Sequence, residues 1–177
     1  MKVDWMAREN IGGGDVHAAA RECRFHALYL REYSPMVRLA YVTTGNVAAA
    51  EDLTQDSFAE LYRRFDQLID PAAYLRRIVA SRATGWVRRR MVERRHAMAE
   101  PGPAAAASPP DMVGPDTVAV RAALARLSPR HRAAIFLRYY LDLSESAIAD
   151  CLGCRPGTVK SLLHRGLRTL REYFDEH

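Results

Sequence analysis

The stretch from Leu143 to Phe174, LSESAIADCLGCRPGTVKSLLHRGLRTLREYF, constrains this chain more than any other. Ser144 suits the N-cap of a short helix carrying Ile148 and Leu152 on one side, because its hydroxyl can accept from a free N–H of the first turn. Gly153 ends that helix, since glycine turns left-handed without steric cost. Pro156 suits the first turn of a second helix, where its missing N–H would have no partner anyway. Beyond it Val159, Leu162, Leu163, Leu167, Leu170 and Phe174 share one face at about 100° per residue, with Gly166 near its centre. The opposite face carries Thr158, Lys160, Ser161, His164, Arg165 and Arg168, with no carboxylate before Glu172. Two helices, a three-residue turn and a basic outer face predict a helix-turn-helix, whose second helix fits the DNA major groove.

The charge of the 177-residue chain is unevenly spread. Residues 1–70 hold eight positive and eleven negative side chains, 71–96 hold eight and one, 97–119 none and three, and 120–177 ten and six. Nearly all the positives are arginine; Lys2 and Lys160 are the two lysines. Two basic blocks around an acidic spacer suggest two contacts with one polyanion. No apolar run approaches the roughly 18 residues of a membrane span, and the N-terminus lacks the apolar core of a signal peptide, so a cytoplasmic protein without membrane contact is expected.

The periodicity predicts an all-α protein of two small helical domains. Residues 1–17 are expected to form a poorly ordered tail, with Gly12–Gly14 preventing a stable helix. A first domain over 18–96 starts with a helical segment that Pro35 is expected to divide. Asn46 caps a helix whose inward face is Leu53, Phe58, Leu61, Tyr62 and Phe65, leaving Asp52, Gln55, Asp56 and Arg63 on the other side. Asp70-Pro71 starts a third helix with Tyr74, Leu75, Ile78, Val79, Ala83 and Trp86 inward; it ends in Arg88-Arg89-Arg90. Arginines beside aromatic rings suit nucleic acid, the guanidinium groups holding phosphates and the rings stacking on unpaired bases. Residues 97–117, with five prolines and two glycines, read as a flexible linker. A second domain over 118–177 contains a helix ending before Ser128-Pro129, a further helix capped by Ser128, and the helix-turn-helix.

Three strings carry a family resemblance. GTVKSLLHRGLRTLRE is similar to the promoter-reading domain of bacterial sigma factors, in particular the small extracytoplasmic-function type of the sigma-70 family. AEDLTQDSFAELYRRF resembles the sigma helix that grips the β′ coiled coil of RNA polymerase, and AYLRRIVASRATGWVRRR the segment that melts and reads the −10 element. The resemblance runs from about Phe25 to Tyr173, and GWVRRR with the long linker also resembles an actinobacterial subgroup. It implies a sigma region 2-like bundle and a region 4-like helix-turn-helix. The implied partners are core RNA polymerase, through its β′ and β subunits, and promoter DNA, with an anti-sigma factor as a further candidate. It implies polymerase contacts at Asp52, Gln55, Asp56 and Arg63. It implies −10 contacts at Arg76, Arg77, Ser81, Trp86, Arg88, Arg89 and Arg90, and −35 contacts at Arg155, Thr158, Lys160, Ser161, His164, Arg165 and Arg168.

The chain departs from the family in three places. Ser81 stands where the family often has Asn, and a hydroxyl cannot make the bidentate amide contact to an adenine edge. Arg82 falls on an inward stripe, where an unpaired guanidinium is costly, so it is expected to find an acidic partner or reach the surface along its alkyl stem. Arg155 occupies the cap before Pro156, which forfeits a capping oxygen worth about 1 kcal/mol and leaves a guanidinium positioned for phosphate.

Two other readings compete. One is a stand-alone helix-turn-helix regulator, which needs no polymerase-facing helix. The other is a thiol-redox or zinc role for Cys151 and Cys154, a C-x-x-C with no second pair to complete a zinc site. No glycine-rich phosphate loop and no nucleophile–base cluster stands out, so neither an enzyme nor a cofactor or metal is expected.

Overall fold

The computed structural model describes residues 12–96 and 115–176, with side chains from 16 and from 119 onward. Expectations for 1–11 and for 97–114 of the linker lie outside these residues. Every regular element among the described residues is helical, as the all-α reading requires.

The first half contains α1 (Gly12–Thr44), α2 (Val47–Arg64) with a 3-10 turn at its end (Phe65–Gln67), and α3 (Pro71–His96). Gly45 makes the corner after α1 at φ +70°, its N–H donating to the Tyr41 carbonyl at 2.7 Å. Asn46 then caps α2, accepting from the Ala49 N–H at 2.8 Å, and Asp70 caps α3, accepting from the Ala73 N–H at 2.9 Å. Two expectations fail in α1. Gly12–Gly14 form its first turn, and the helix runs unbroken through Pro35. Extending a nucleated helix adds a hydrogen bond per residue, which offsets the entropy of ordering the glycines. Pro35 costs about 3 kcal/mol in a helix interior, but Met36, Leu39 and Ala40 just beyond it are fully buried, and that packing outweighs the lost bond.

The second half contains α4 (Pro115–Ala125), α5 (Pro129–Tyr139), α6 (Glu145–Leu152) and α7 (Pro156–Asp175). Helix α4 thus begins inside the stretch read as linker. Ser128 caps α5 by accepting from the His131 N–H, and Ser144 caps α6 by accepting from the Ala147 N–H at 3.3 Å.

The two halves are seated on each other. Helix α5 packs on α1, and α6 packs on α3. One continuous buried cluster includes Leu39, Ala40 and Val79 from the first half and Ala133, Leu137 and Ile148 from the second. At its edge the Arg38 guanidinium donates to the Tyr140 hydroxyl, and the Arg121 guanidinium lies 5.9 Å above the Tyr41 ring. Helix α3 is therefore covered on one side by its own half and on another by α6.

Candidate nucleic-acid interface

Helix α7 is placed by the turn before it. Gly153 adopts φ 57°, ψ 47°, and its N–H donates to the Ala149 carbonyl, closing α6 in the left-handed conformation. Arg155 takes an extended conformation at the N-cap and makes no side-chain capping bond, as its side chain dictates. Val159, Leu163 and Gly166 bury the inner face of α7 against α5. The approach is close at Gly166, where an added Cβ would stand 2.8 Å from Ile135 Cδ1. Glycine there lets the two helices meet.

The opposite face is open. Arg155, Thr158, Lys160, Ser161, His164, Arg165 and Arg168 are all exposed. Lys160 reaches Glu145 of α6 at only 3.8 Å, and Arg168 reaches Glu172 at 3.7 Å, both through mostly solvated side chains. Such contacts are weak enough to yield to a phosphate. Ser161 donates its hydroxyl proton to the Gly157 carbonyl at 3.1 Å and keeps its lone pairs for an incoming donor. On α5 behind this face, burial, and then the Arg165 charge, holds the His131 imidazole below its usual pKa.

The seven residues singled out on α3 fall on two sides of that helix. Arg77, Ser81 and Arg88 line a cleft between α3, the start of α5 and the end of α6. Trp86 is half-buried, with the Arg90 guanidinium 5.5 Å above its ring, while Arg89 and Arg90 are exposed and Arg76 is half-buried. Of the two courses expected for Arg82, it takes the acidic partner. Its guanidinium donates to Glu60 Oε2 at 2.6 Å, and the Tyr74 hydroxyl donates to Glu60 Oε1 at 2.7 Å. The Tyr74 bond, joined by the Arg82 charge, pulls the Glu60 carboxyl below its usual pKa even though desolvation opposes it. The same bond raises the Tyr74 phenol.

Asp52, Gln55, Asp56 and Arg63 are all exposed on one helix, α2, and the two aspartates have no ion pair among the described residues. Beside them lies an open groove that the sequence reading missed, lined by Phe25, Tyr29, Phe58, Ala59, Tyr62 and Arg63. Its signal was present as aromatic residues four apart on two helices. The sequence did not show that α1 and α2 bring these rings together, with Phe25 4.8 Å from Tyr62 and Tyr29 4.9 Å from Phe58.

Cys151 is buried and Cys154 half-buried, both as free thiols. Burial raises the Cys151 pKa, the opposite of what a reactive thiolate needs. No described helix is long and apolar enough to cross a membrane.

Comparison with known proteins agrees with this geometry. Residues 28–92 match the sigma-70 region 2 family and residues 117–170 the sigma-70 region 4 family. The chain is 36% identical over 160 residues to the extracytoplasmic-function RNA polymerase sigma factor SigE of Mycolicibacterium smegmatis, covering 84% of this chain and 61% of that protein's length. It is 33% identical over 160 residues to the sigma factor SigL of Mycobacterium tuberculosis, covering 87% of this chain and 90% of that one. Its fold is similar to that of the sigma factor RpoE in a co-crystal structure with the anti-sigma factor NepR from Bartonella quintana. That comparison has TM-score 0.74 at 24% identity and covers 86% of this chain and 97% of the other. With both family regions matched in order along the chain, and relatives of this similarity across most of its length, the chain belongs to the sigma-70 family, among its extracytoplasmic-function RNA polymerase sigma factors.

Proposed function

We propose that this chain carries core RNA polymerase to promoters, with a separate helix for each contact. The exposed Asp52, Gln55, Asp56 and Arg63 of α2 dock on β′. Helix α3, through Arg76, Arg77, Ser81, Trp86 and Arg88–Arg90, engages the −10 element and holds the separated strands. Helix α7 enters the major groove at the −35 element with Thr158, Lys160, Ser161, His164, Arg165 and Arg168, while Arg155 contacts phosphate at the helix N-terminus. In this reading the chain is an initiation factor with no catalysis of its own, acting in the cytoplasm where polymerase works. A partner of the anti-sigma type fits it as well, since the structurally similar RpoE is in complex with one.

The observation that carries the proposal is the division of α7. Its apolar face is buried against α5, while every candidate reader on the other face is exposed and, among the described residues, no strong ion pair occupies them. Run-off transcription with purified core enzyme over a promoter library tests it. Product that depends on this chain and on both promoter elements supports the reading. DNA binding without capture of core polymerase would favour a stand-alone regulator instead.

A further inference from the structure

A cleft of about 700 Å³ lies between the two halves, a volume in the range of small-ligand sites. Three arginines reach its walls: Arg77 and Arg88 from α3, and Arg130 from α5. Among the described residues no aspartate or glutamate lines it. Arg77 and Arg88 have no ion-pair partner among the described residues, and Arg130 uses one N–H on the Leu152 carbonyl at 3.1 Å, leaving its other donors for a ligand. Ser81 lines the same cleft, and so does Ser128, which caps the positive end of the 11-residue helix α5 with its hydroxyl bonded to His131. Val87, Met91 and Leu152 supply an apolar wall.

Three arginines on one concavity, with no carboxylate among its described walls, give it a positive potential that favours an anion. We propose that this cleft binds a small polyanion of the di- or triphosphate type, held by Arg77 and Arg88 of one half and Arg130 of the other. The binding surface exists only while the halves are seated together. A ligand at a hundredfold excess over its dissociation constant therefore raises the ratio of seated to parted molecules about a hundredfold. Arg77, Ser81 and Arg88 are then occupied and covered, so the same ligand opposes capture of a promoter strand by α3. That last coupling rests on the −10 reading given above; the anion site itself does not.

The test uses the full chain, titrated calorimetrically with sodium tripolyphosphate and, separately, with GTP, at constant ionic strength. Saturable binding of one equivalent is expected. Arg130→Gln weakens it about tenfold through loss of a charge-assisted contact, whereas Arg171→Gln, an equal change of charge on the exposed outer part of α7, alters it less than twofold. Met91→Glu, at an exposed position on the cleft wall where folding is not at stake, places a carboxylate among the arginines and abolishes binding. Tighter binding of GTP than of tripolyphosphate identifies a nucleotide with its base on the Val87–Met91 wall; equal binding identifies the phosphate chain alone. No saturable binding to the wild-type chain, or equal losses in Arg130→Gln and Arg171→Gln, overturns the site. A labelled single-stranded −10 oligonucleotide separates the two layers. Tripolyphosphate should displace it from the wild-type chain and not from Met91→Glu. Saturable binding at the cleft with no displacement overturns the coupling to α3 while the anion site stands.

Discussion

The Arg82 guanidinium lies 2.6 Å from Glu60 Oε2, tying the middle of α3 to α2 where the sequence places a cation on an inward stripe. Tyr74 completes the knot from one side of the carboxylate and Arg64 approaches from another at 3.8 Å. Both members of the pair are less than a third exposed, so the contact is stronger than an ordinary surface bridge. Glu60→Gln is expected to lower stability by about 1–2 kcal/mol, read as a shift in urea midpoint at unchanged slope.

The same carboxylate makes stability depend on pH. Its folded pKa lies below the ordinary value of 4.5, so its contribution is present above that pH and is lost as pH falls through the folded value. Acid titration of unfolding free energy should therefore be flatter below pH 4.5 in Glu60→Gln than in the wild-type chain. Equal acid slopes would remove Glu60 from the account.

Gly166 tests the approach of α7 to α5. An alanine Cβ meets Ile135 Cδ1 at 2.8 Å, the mobile end of a side chain that can rotate away, and alanine favours helix by about 1 kcal/mol over glycine. Gly166→Ala should therefore be near neutral. Gly166→Val adds branches that also press on His131 Cβ and Ile135 Cγ1, so it should cost about 1–3 kcal/mol and weaken −35 duplex binding by tilting α7. Thermal melting and duplex titration of both variants check this.

Arg155 has no capping bond to give α7. Arg155→Ser supplies the missing oxygen and should stabilise the chain by about 1 kcal/mol. If Arg155 holds a phosphate, the same change flattens the plot of log affinity against log salt by about one contact's slope, without changing sequence preference. Stabilisation with an unaltered salt slope would leave Arg155 out of the interface.

Asp52 and Asp56 sit one turn apart with no ion pair among the described residues. Reversing both charges, Asp52→Lys with Asp56→Lys, should leave folding and −35 duplex binding intact while abolishing capture of core polymerase in a pull-down. Retained capture would move the polymerase contact elsewhere, with the aromatic groove at Phe25, Tyr29 and Tyr62 the next surface to change.

Local rules make much of this protein legible from its residues. Caps at Asn46, Asp70, Ser128 and Ser144, the left-handed Gly153, Pro156 in the first turn of α7, and the apolar stripe with Gly166 at its centre all depend on neighbours within a turn or two. The sequence therefore set the helices, the helix-turn-helix and the exposed basic face of α7. It also set that Arg82 needs either an acid or a route to the surface, because an unpaired cation on an inward stripe is costly. Only the tertiary structure decided that the acid is Glu60, 22 residues away, and that α1 continues through Pro35 because distant side chains pack around it. It alone decided that Arg77 and Arg88 share a cleft with Arg130. Helical periodicity says which side of a helix is buried, but not which other helix buries it; that choice is made by packing between residues far apart in the chain.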